Sequence, residues 1–177
     1  GVKDTAGNTL TSQYETSNGF TTALRPTIAS GPDHNCMLDN GTVRCWGVNT
    51  YGQLGISNAN SAHYAMGNSQ GEMAQLNGIN LGTGRTATAI AAGDYHSCAL
   101  MDNGAVKCWG RNNVGQLGID NTTDMGDDQG EMDQLTGINL GTGRTATAIA
   151  VAQAHTCALL DNASVKCWGH NYYGQLG

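Results

Sequence analysis

Charge is what this sequence has least of: Asp, Glu, Lys and Arg together make up 12% of it, about half the usual share. Proline occurs twice and phenylalanine once. Leu, Ile, Val and Trp nevertheless recur at regular places, which is not the pattern of a disordered chain. Basic clusters are missing too. Eight Lys and Arg stand against 14 Asp and Glu, for a net charge of −6. Nucleic acid and anionic membranes are bound through clustered cations, so the composition argues against both partners. No apolar run approaches the roughly 18–20 residues of a membrane span. No signal peptide is visible, and the chain opens on Gly1-Val2 rather than Met, as a processed product or an excerpt of a longer chain would. A unique nucleophile with a partnered base, a paired-carboxylate motif and a phosphate loop are also missing, so no catalytic residue is assigned and the chain reads as a non-enzyme.

What is present is glycine, 26 residues of it, and repetition. Three segments align on sight. Thr27-Ile-Ala-Ser-Gly-Pro-Asp-His34-Asn-Cys36 leads through Asp39-Asn40-Gly41 to Cys45-Trp46-Gly47. Ala89-Ile-Ala-Ala-Gly-Asp-Tyr-His96-Ser-Cys98 leads through Asp102-Asn-Gly104 to Cys108-Trp109-Gly110. Ala148-Ile-Ala-Val-Ala-Gln-Ala-His155-Thr-Cys157 leads through Asp161-Asn162-Ala163 to Cys167-Trp168-Gly169. Each runs on to Asn-x-x-Gly-Gln-Leu-Gly, ending at Gly55, Gly118 and Gly177. The second and third copies keep a constant offset of 59 residues from Met66 and Met125 onward, and the first linker carries four extra residues between Asn58 and Ala65, as a surface loop would. The chain therefore divides into a non-repeat segment, 1–24, and three repeats, 25–55, 56–118 and 119–177.

Alternation of Ala87, Ala89 and Ala91 with Thr86, Thr88 and Ile90 predicts a closely packed strand. His96 to Met101 and Ala105 to Trp109 flank Asp-Asn-Gly, a hairpin signal. A unit of about 60 residues with three or four short strands cannot bury its faces alone, and stacking with its neighbours solves the problem. The fold class is therefore all-β, with the repeats as β-propeller blades. The string Ile-x-Ala-Gly-x-x-His-x-Cys-Ala-Leu…Asp-Asn-Gly-x-Val-x-Cys-Trp-Gly-x-Asn-x-x-Gly-Gln-Leu-Gly resembles a regulator of chromosome condensation repeat over residues 25–177. That resemblance implies a seven-bladed propeller acting mostly as a binding scaffold. The chain departs from it in having three repeats where seven close a ring, and in a cysteine pair within each blade, which is similar to secreted bacterial and archaeal relatives. A chromatin or nucleotide-exchange role, which the family name suggests, conflicts with the acidity and the cysteines.

The six cysteines fall two per repeat, and the first pair is one residue closer than the others. Turn length accounts for the difference. A two-residue Asn40-Gly41 turn sets 39 opposite 42 and Cys36 opposite Cys45. A three-residue turn sets 101 opposite 105 and Cys98 opposite Cys108, and likewise Cys157 opposite Cys167. All three pairs then occupy non-hydrogen-bonded positions, where Cα atoms lie about 4.5 Å apart and a disulfide can form. Disulfides imply an oxidising compartment, hence an extracellular or cell-surface location. The alternative is zinc, held by sets such as His34, Cys36 and Cys45, but no Cys-x-x-Cys knuckle or fourth ligand recurs.

His34, His96 and His155 hold the same place in every repeat, which points to a repeated structural hydrogen bond rather than to a unique active site. Trp46, Trp109 and Trp168 follow the second cysteine, where a ring can pack between blades or line an aromatic binding face. The acidic loop holding Asp124, Asp127, Asp128 and Glu131 is the candidate calcium site, calcium being the one cofactor considered. Its counterpart Met66-Gly-Asn-Ser-Gln-Gly-Glu72 has lost most carboxylates, so a plain solvated loop competes with that reading. Asn40, Asn121 and Asn162 begin glycosylation sequons at predicted turns. Gly82-Thr-Gly-Arg85 recurs as Gly141-Thr-Gly-Arg144 and so reads as structural. Val2–Leu10 and Gln13–Phe20 could form a hairpin of another domain, complete a blade or pair with a neighbouring subunit. Two function classes remain: a scaffold whose open strand edges self-associate into an oligomer or filament, and a surface module binding protein or glycan through blade loops. Whether more repeats follow Gly177 separates them.

Overall fold

The computed structural model describes residues 26–56 and 64–177. The expectations for 1–24, and most of the extra loop between Asn58 and Ala65, lie outside the described residues. Three antiparallel sheets follow one another along the chain. The first is β1 (Thr27–Ser30), β2 (His34–Asp39), β3 (Thr42–Val48) and the short β4 (Ala65–Met66), in that spatial order. The second is β5 (Ala87–Ala92), β6 (His96–Met101) and β7 (Val106–Gly110), and the third is β8 (Ala146–Val151), β9 (His155–Leu160) and β10 (Val165–Gly169). These are the blades. β4 comes from the segment counted with the second repeat, and Gly110 bridges Met125 in the same way, so in the first two blades the outermost pairing reaches into the following linker.

Turn chemistry sets the register. Asn40 and Gly41 both have left-handed φ, 47° and 78°, as a two-residue hairpin turn requires, and Asp39 faces Thr42. The second hairpin closes where the Met101 N–H donates to Ala105 O, and the third where Leu160 N–H donates to Ser164 O. Counting outward from these pairs puts Cys36, Cys98 and Cys157 opposite Cys45, Cys108 and Cys167. All three pairs are disulfides, with Cα atoms 4.0, 4.1 and 4.1 Å apart. The third hairpin carries Ala163 at φ 65°, where Gly104 has 76°. An L-residue with a Cβ is strained there, so Ala163→Gly should raise stability by about 1 kcal/mol in denaturant titration.

The first strands depart from simple alternation. A bulge between Ala87 and Ala89, repeated between Ala146 and Ala148, inserts one residue into the ladder. As a result Ala87 and Ile90 pack towards the first blade, while Ala89 packs towards the third. Beyond the bulge the strand reading holds.

Burial shows how the blades stack. Every residue of β6 is buried, because the second sheet is covered on both faces. In β2 burial alternates: His34, Cys36 and Leu38 are buried against the second blade. β9 alternates too, with Thr156, Ala158 and Leu160 buried and His155, Cys157 and Leu159 on the outer side. Two apolar clusters result, one between blades 1 and 2 around Leu54, Ala99 and Trp109, the other between blades 2 and 3 around Leu100, Leu117 and Ala158. Burial of this apolar area between blades, at roughly 25 cal/mol per Å², is the main term joining them. Arg85 and Arg144 of the Gly-Thr-Gly-Arg segments reach Asp102 and Asp161 at 3.5 and 3.4 Å, exposed pairs that contribute little.

Candidate functional site

The polar groups that recur in every repeat meet at the joints between blades. The Asn-x-x-Gly-Gln-Leu-Gly loop prepares one half of each joint. Asn49 Oδ1 accepts from Leu54 N–H at 2.9 Å, and Gln53 Oε1 accepts from Tyr51 N–H at 2.9 Å. Asn112 and Gln116 brace the next loop in the same way, at 3.0 and 3.0 Å, and Asn171 and Gln175 the last, at 3.0 and 2.9 Å. Side chains spent on their own loop hold the glutamine carbonyl in a fixed direction. That carbonyl is the acceptor of the joint.

The other half comes from the following blade. The Ser97 hydroxyl donates to Gln53 O at 2.9 Å and the Trp109 indole N–H donates to the same oxygen at 3.0 Å. His34 Nε2 stands 2.8 Å from Ser97 Oγ. Since the serine proton goes to Gln53, the histidine must donate, which fixes its proton on Nε2. The second joint copies the first. Thr156 and Trp168 both donate to Gln116 O at 3.0 Å, and His96 Nε2 lies 3.0 Å from Thr156 Oγ1. The remaining ring nitrogens, Nδ1 of His34 and of His96, are buried without a partner. Burial holds both imidazoles far below their usual range, at about 4. His96 is held down further by the like charges that His34 and His155 would carry. A proton on Nδ1 would make a buried cation with no acceptor.

A serine 2.8 Å from a histidine also has the look of a nucleophile and its base. Here the serine is fully buried, its proton is committed to Gln53, and threonine takes its place in the next repeat. The pair is a structural lock. Sequence reading singled out the histidines and tryptophans but passed over Ser97, Thr156, Gln53 and Gln116. A hydroxyl in His-x-Cys of two repeats, and Gln in all three loops, was the available signal.

At the rim, Arg111 lies over the rings of Tyr51 and Tyr95, 4.6 and 5.5 Å from their centroids, and clasps blades 1 and 2. Trp109 is fully buried, whereas Trp46 and Trp168 are half-buried. His155 lies on the outer side of the third blade and makes no such joint among the described residues. The sulfurs are bonded to one another and no cysteine is free, which leaves nothing for the zinc alternative.

The acidic loop spends two of its carboxylates on backbone N–H groups. Glu131 Oε2 accepts from Gly126 and Asp128 N–H at 2.8 and 3.0 Å, and Glu72 does the same for Gly67 and Ser69 at 2.8 and 3.0 Å. Asp124 Oδ1 accepts from Asn112 N–H at 2.7 Å. Partial burial raises the Asp127 carboxyl, and the charges of Glu131 and Asp124 add to that. Among the described residues no three ligating side chains converge on a metal position. The glutamates close their own loops instead, which is why both linkers keep one. Asn40, Asn121 and Asn162 are exposed, the last two with their side chains hydrogen-bonded within their turns. An open cleft of about 440 Å³ separates the two linkers, lined by Ile56, Met66, Leu76, Ile79 and Met132. The Asn80 amide donates to Asp133 at 2.5 Å across it.

Comparison with known proteins agrees with this construction. The model of the Regulator of chromosome condensation (RCC1) repeat matches residues 27–53, 87–116 and 147–175. The chain is made of regulator of chromosome condensation repeats and belongs to that family. It is 29% identical to the ultraviolet-B receptor UVR8 of Arabidopsis thaliana over 152 residues, 85% of this chain and 30% of the receptor. It is 32% identical to the human probable E3 ubiquitin-protein ligase HERC4 over 153 residues, 85% of this chain and 13% of the ligase. The chain thus spans less than a third of either relative. Among solved structures, human WBSCR16 superposes with a TM-score of 0.67 at 23% identity, covering 84% of this chain and 35% of that one. Yeast RCC1 (Prp20), bound to Kap60, gives 0.62 at 23% identity, with 81% and 31% covered. Both share the fold of this chain.

Proposed function

We propose that this chain is a non-enzymatic, protein-binding propeller segment that works in an oxidising, extracellular or cell-surface setting. The observation that carries the reading is the use made of the recurring groups. Each buried histidine, hydroxyl and indole N–H of the two joints is committed to holding one blade on the next, and each cysteine pair to holding one hairpin. Among the described residues, Nδ1 of His34 and His96 and Nε2 of Gln53 are the buried side-chain atoms of the joints left without a partner. Protein binding is in keeping with yeast RCC1 (Prp20), solved in complex with Kap60 and, in a second structure, described by its binding to Gsp1p and histones. A net charge of −6 and six paired cysteines favour partners and a compartment of a different kind. Among the described residues no helix is long and apolar enough to cross a membrane.

Intact mass of the natively isolated protein, before and after alkylation without reductant, tests the compartment. No mass gain is expected. Uptake of alkyl groups on the described cysteines would overturn it. A second reading, a self-assembling subunit, draws on the outer face of the third sheet, where Val165 is 65% and Leu159 41% exposed. A monomer at high concentration in sedimentation would end that reading.

A further inference from the structure

In an asparagine followed by glycine, the main chain can attack its own side chain. The glycine nitrogen adds to the asparagine Cγ, and the absence of a glycine side chain leaves that approach open. The sequence has four such pairs, beginning at Asn18, Asn40, Asn77 and Asn103. Asn18 lies outside the described residues, and the fold treats the other three differently.

Two of them are held. The Gly104 N–H donates to Met101 O at 2.9 Å and Asn103 Oδ1 accepts from Ala105 N–H at 3.1 Å, so attacking and attacked groups are both occupied. Asn40 stands at φ 47° in the turn of a disulfide-tied hairpin. Its neighbour Gly41 accepts from Ala87 N–H at 3.0 Å and lies so close to the next segment that a Cβ on it would fall 2.6 Å from Thr86 Cβ. Swinging the Gly41 nitrogen towards Asn40 Cγ would pull the turn off that contact. Asn77 is free of such restraint. It and Gly78 are exposed, and among the described residues neither the Asn77 side chain nor the Gly78 N–H makes a hydrogen bond. The residue after them is anchored: Ile79 is buried and its N–H donates to Val43 O at 2.8 Å. The next linker makes the same anchor, Ile138 N–H to Val106 O at 2.9 Å, with Thr136-Gly137 ahead of it. The anchor therefore does not call for asparagine.

We propose that Asn77 is a self-modification site, which the fold leaves open to conversion into aspartate and isoaspartate while it protects Asn40 and Asn103. The Gly78 nitrogen bonds to Asn77 Cγ as the Cγ–Nδ2 bond breaks. The Gly78 proton passes through solvent to the departing nitrogen, and ammonia leaves a succinimide. Water opens that ring at either carbonyl. Attack at Cγ gives aspartate in the original chain, and attack at the main-chain carbonyl gives isoaspartate, with the chain rerouted through the side-chain methylene. Either product adds a carboxylate to the cleft between the linkers, where Asp133 is the charged residue of the lining. Isoaspartate also lengthens the main chain just ahead of the Ile79 anchor. Gly78 has no slack to absorb it, since even a Cβ there would lie 2.6 Å from Thr42 Cγ2. The linker then loosens from the first sheet, one way and with time, whatever the propeller binds.

The test ages the whole folded chain in mildly alkaline buffer without reductant and maps its peptides for Asn, Asp and isoaspartate. Conversion at residue 77 is expected at least tenfold faster than at 40 or 103. In the reduced chain unfolded by guanidinium the three rates should draw together. Equal rates in the folded chain, or a lead for 77 undiminished by unfolding, would overturn the assignment. Amide exchange tests the consequence. At Ile79 it should be at least tenfold faster in the aged protein than in Asn77→Asp, which has the charge without the longer chain, and unchanged in aged Asn77→Thr. Equal exchange in all three would show that the modification loosens nothing.

Discussion

Acidification from pH 7 to pH 4.5 is expected to lower the thermal midpoint by roughly 10 °C or more, well before the carboxylates of the surface are fully protonated. The cause is the pair of joint histidines. Both are neutral in the folded chain, with pKa lowered from 6.5 to about 4 by burial. In the unfolded chain they take up protons below about 6.5. Unfolding therefore binds protons throughout the window between about 6.5 and about 4, and stability falls as pH falls across it. The stabilisation is complete above the upper limit. A displacement of this size corresponds to about 3 kcal/mol for each histidine. The structure supplies the reason in atoms: Nε2 already donates to Ser97 or Thr156, and Nδ1 has no acceptor for a second proton. Differential scanning calorimetry across pH 7 to 4.5 checks it. A thermal midpoint constant over that range would show that the histidines are not held neutral.

Removal of the middle disulfide should cost more than removal of the last. Each bond closes a loop of 9 or 10 residues, which by chain entropy contributes about 2–3 kcal/mol. That share is common to all three hairpins. Packing is not. Cys98 and Cys108 are fully buried between two blades, whereas Cys157 and Cys167 lie on the outer side of the third. The Cys98→Ala/Cys108→Ala protein should thus lose the loop contribution plus about 1–2 kcal/mol of core packing. The Cys157→Ala/Cys167→Ala protein should lose the loop contribution alone. Guanidinium midpoints of the two double variants give the order directly. Equal midpoints, or the reverse order, would contradict the stacking described for the second sheet.

Much of the fold was legible because it is written three times. The hairpins were visible in Asp-Asn-Gly, with Asp-Asn-Ala in the third, and the missing residue between Cys36 and Cys45 showed which turn each hairpin uses. Local chemistry of that kind reads directly from sequence. The bulge at Thr88 did not, since an extra residue in a strand leaves the same run of Ala and Thr whichever face each one takes. The joints were half visible. Histidine and tryptophan draw the eye as large polar rings, while the oxygen they depend on is a backbone carbonyl that has no letter of its own. Ser97 and Thr156 were hidden by differing from Asn35 at the same place. The acidic loop was legible only in part for a related reason. Four carboxylates close in sequence suggested a cation, but Glu131 and Asp124 point at backbone N–H groups of separate turns.

All the covalent crosslinks lie inside blades and none lies between them. The joints are held by packing and a few hydrogen bonds, while each hairpin is tied by a bond that ordinary loads do not break. A chain of this design, if pulled from its ends, parts between sheets first. It lengthens by releasing linkers, keeps each stapled hairpin whole, and can reassemble from units that never lost their shape.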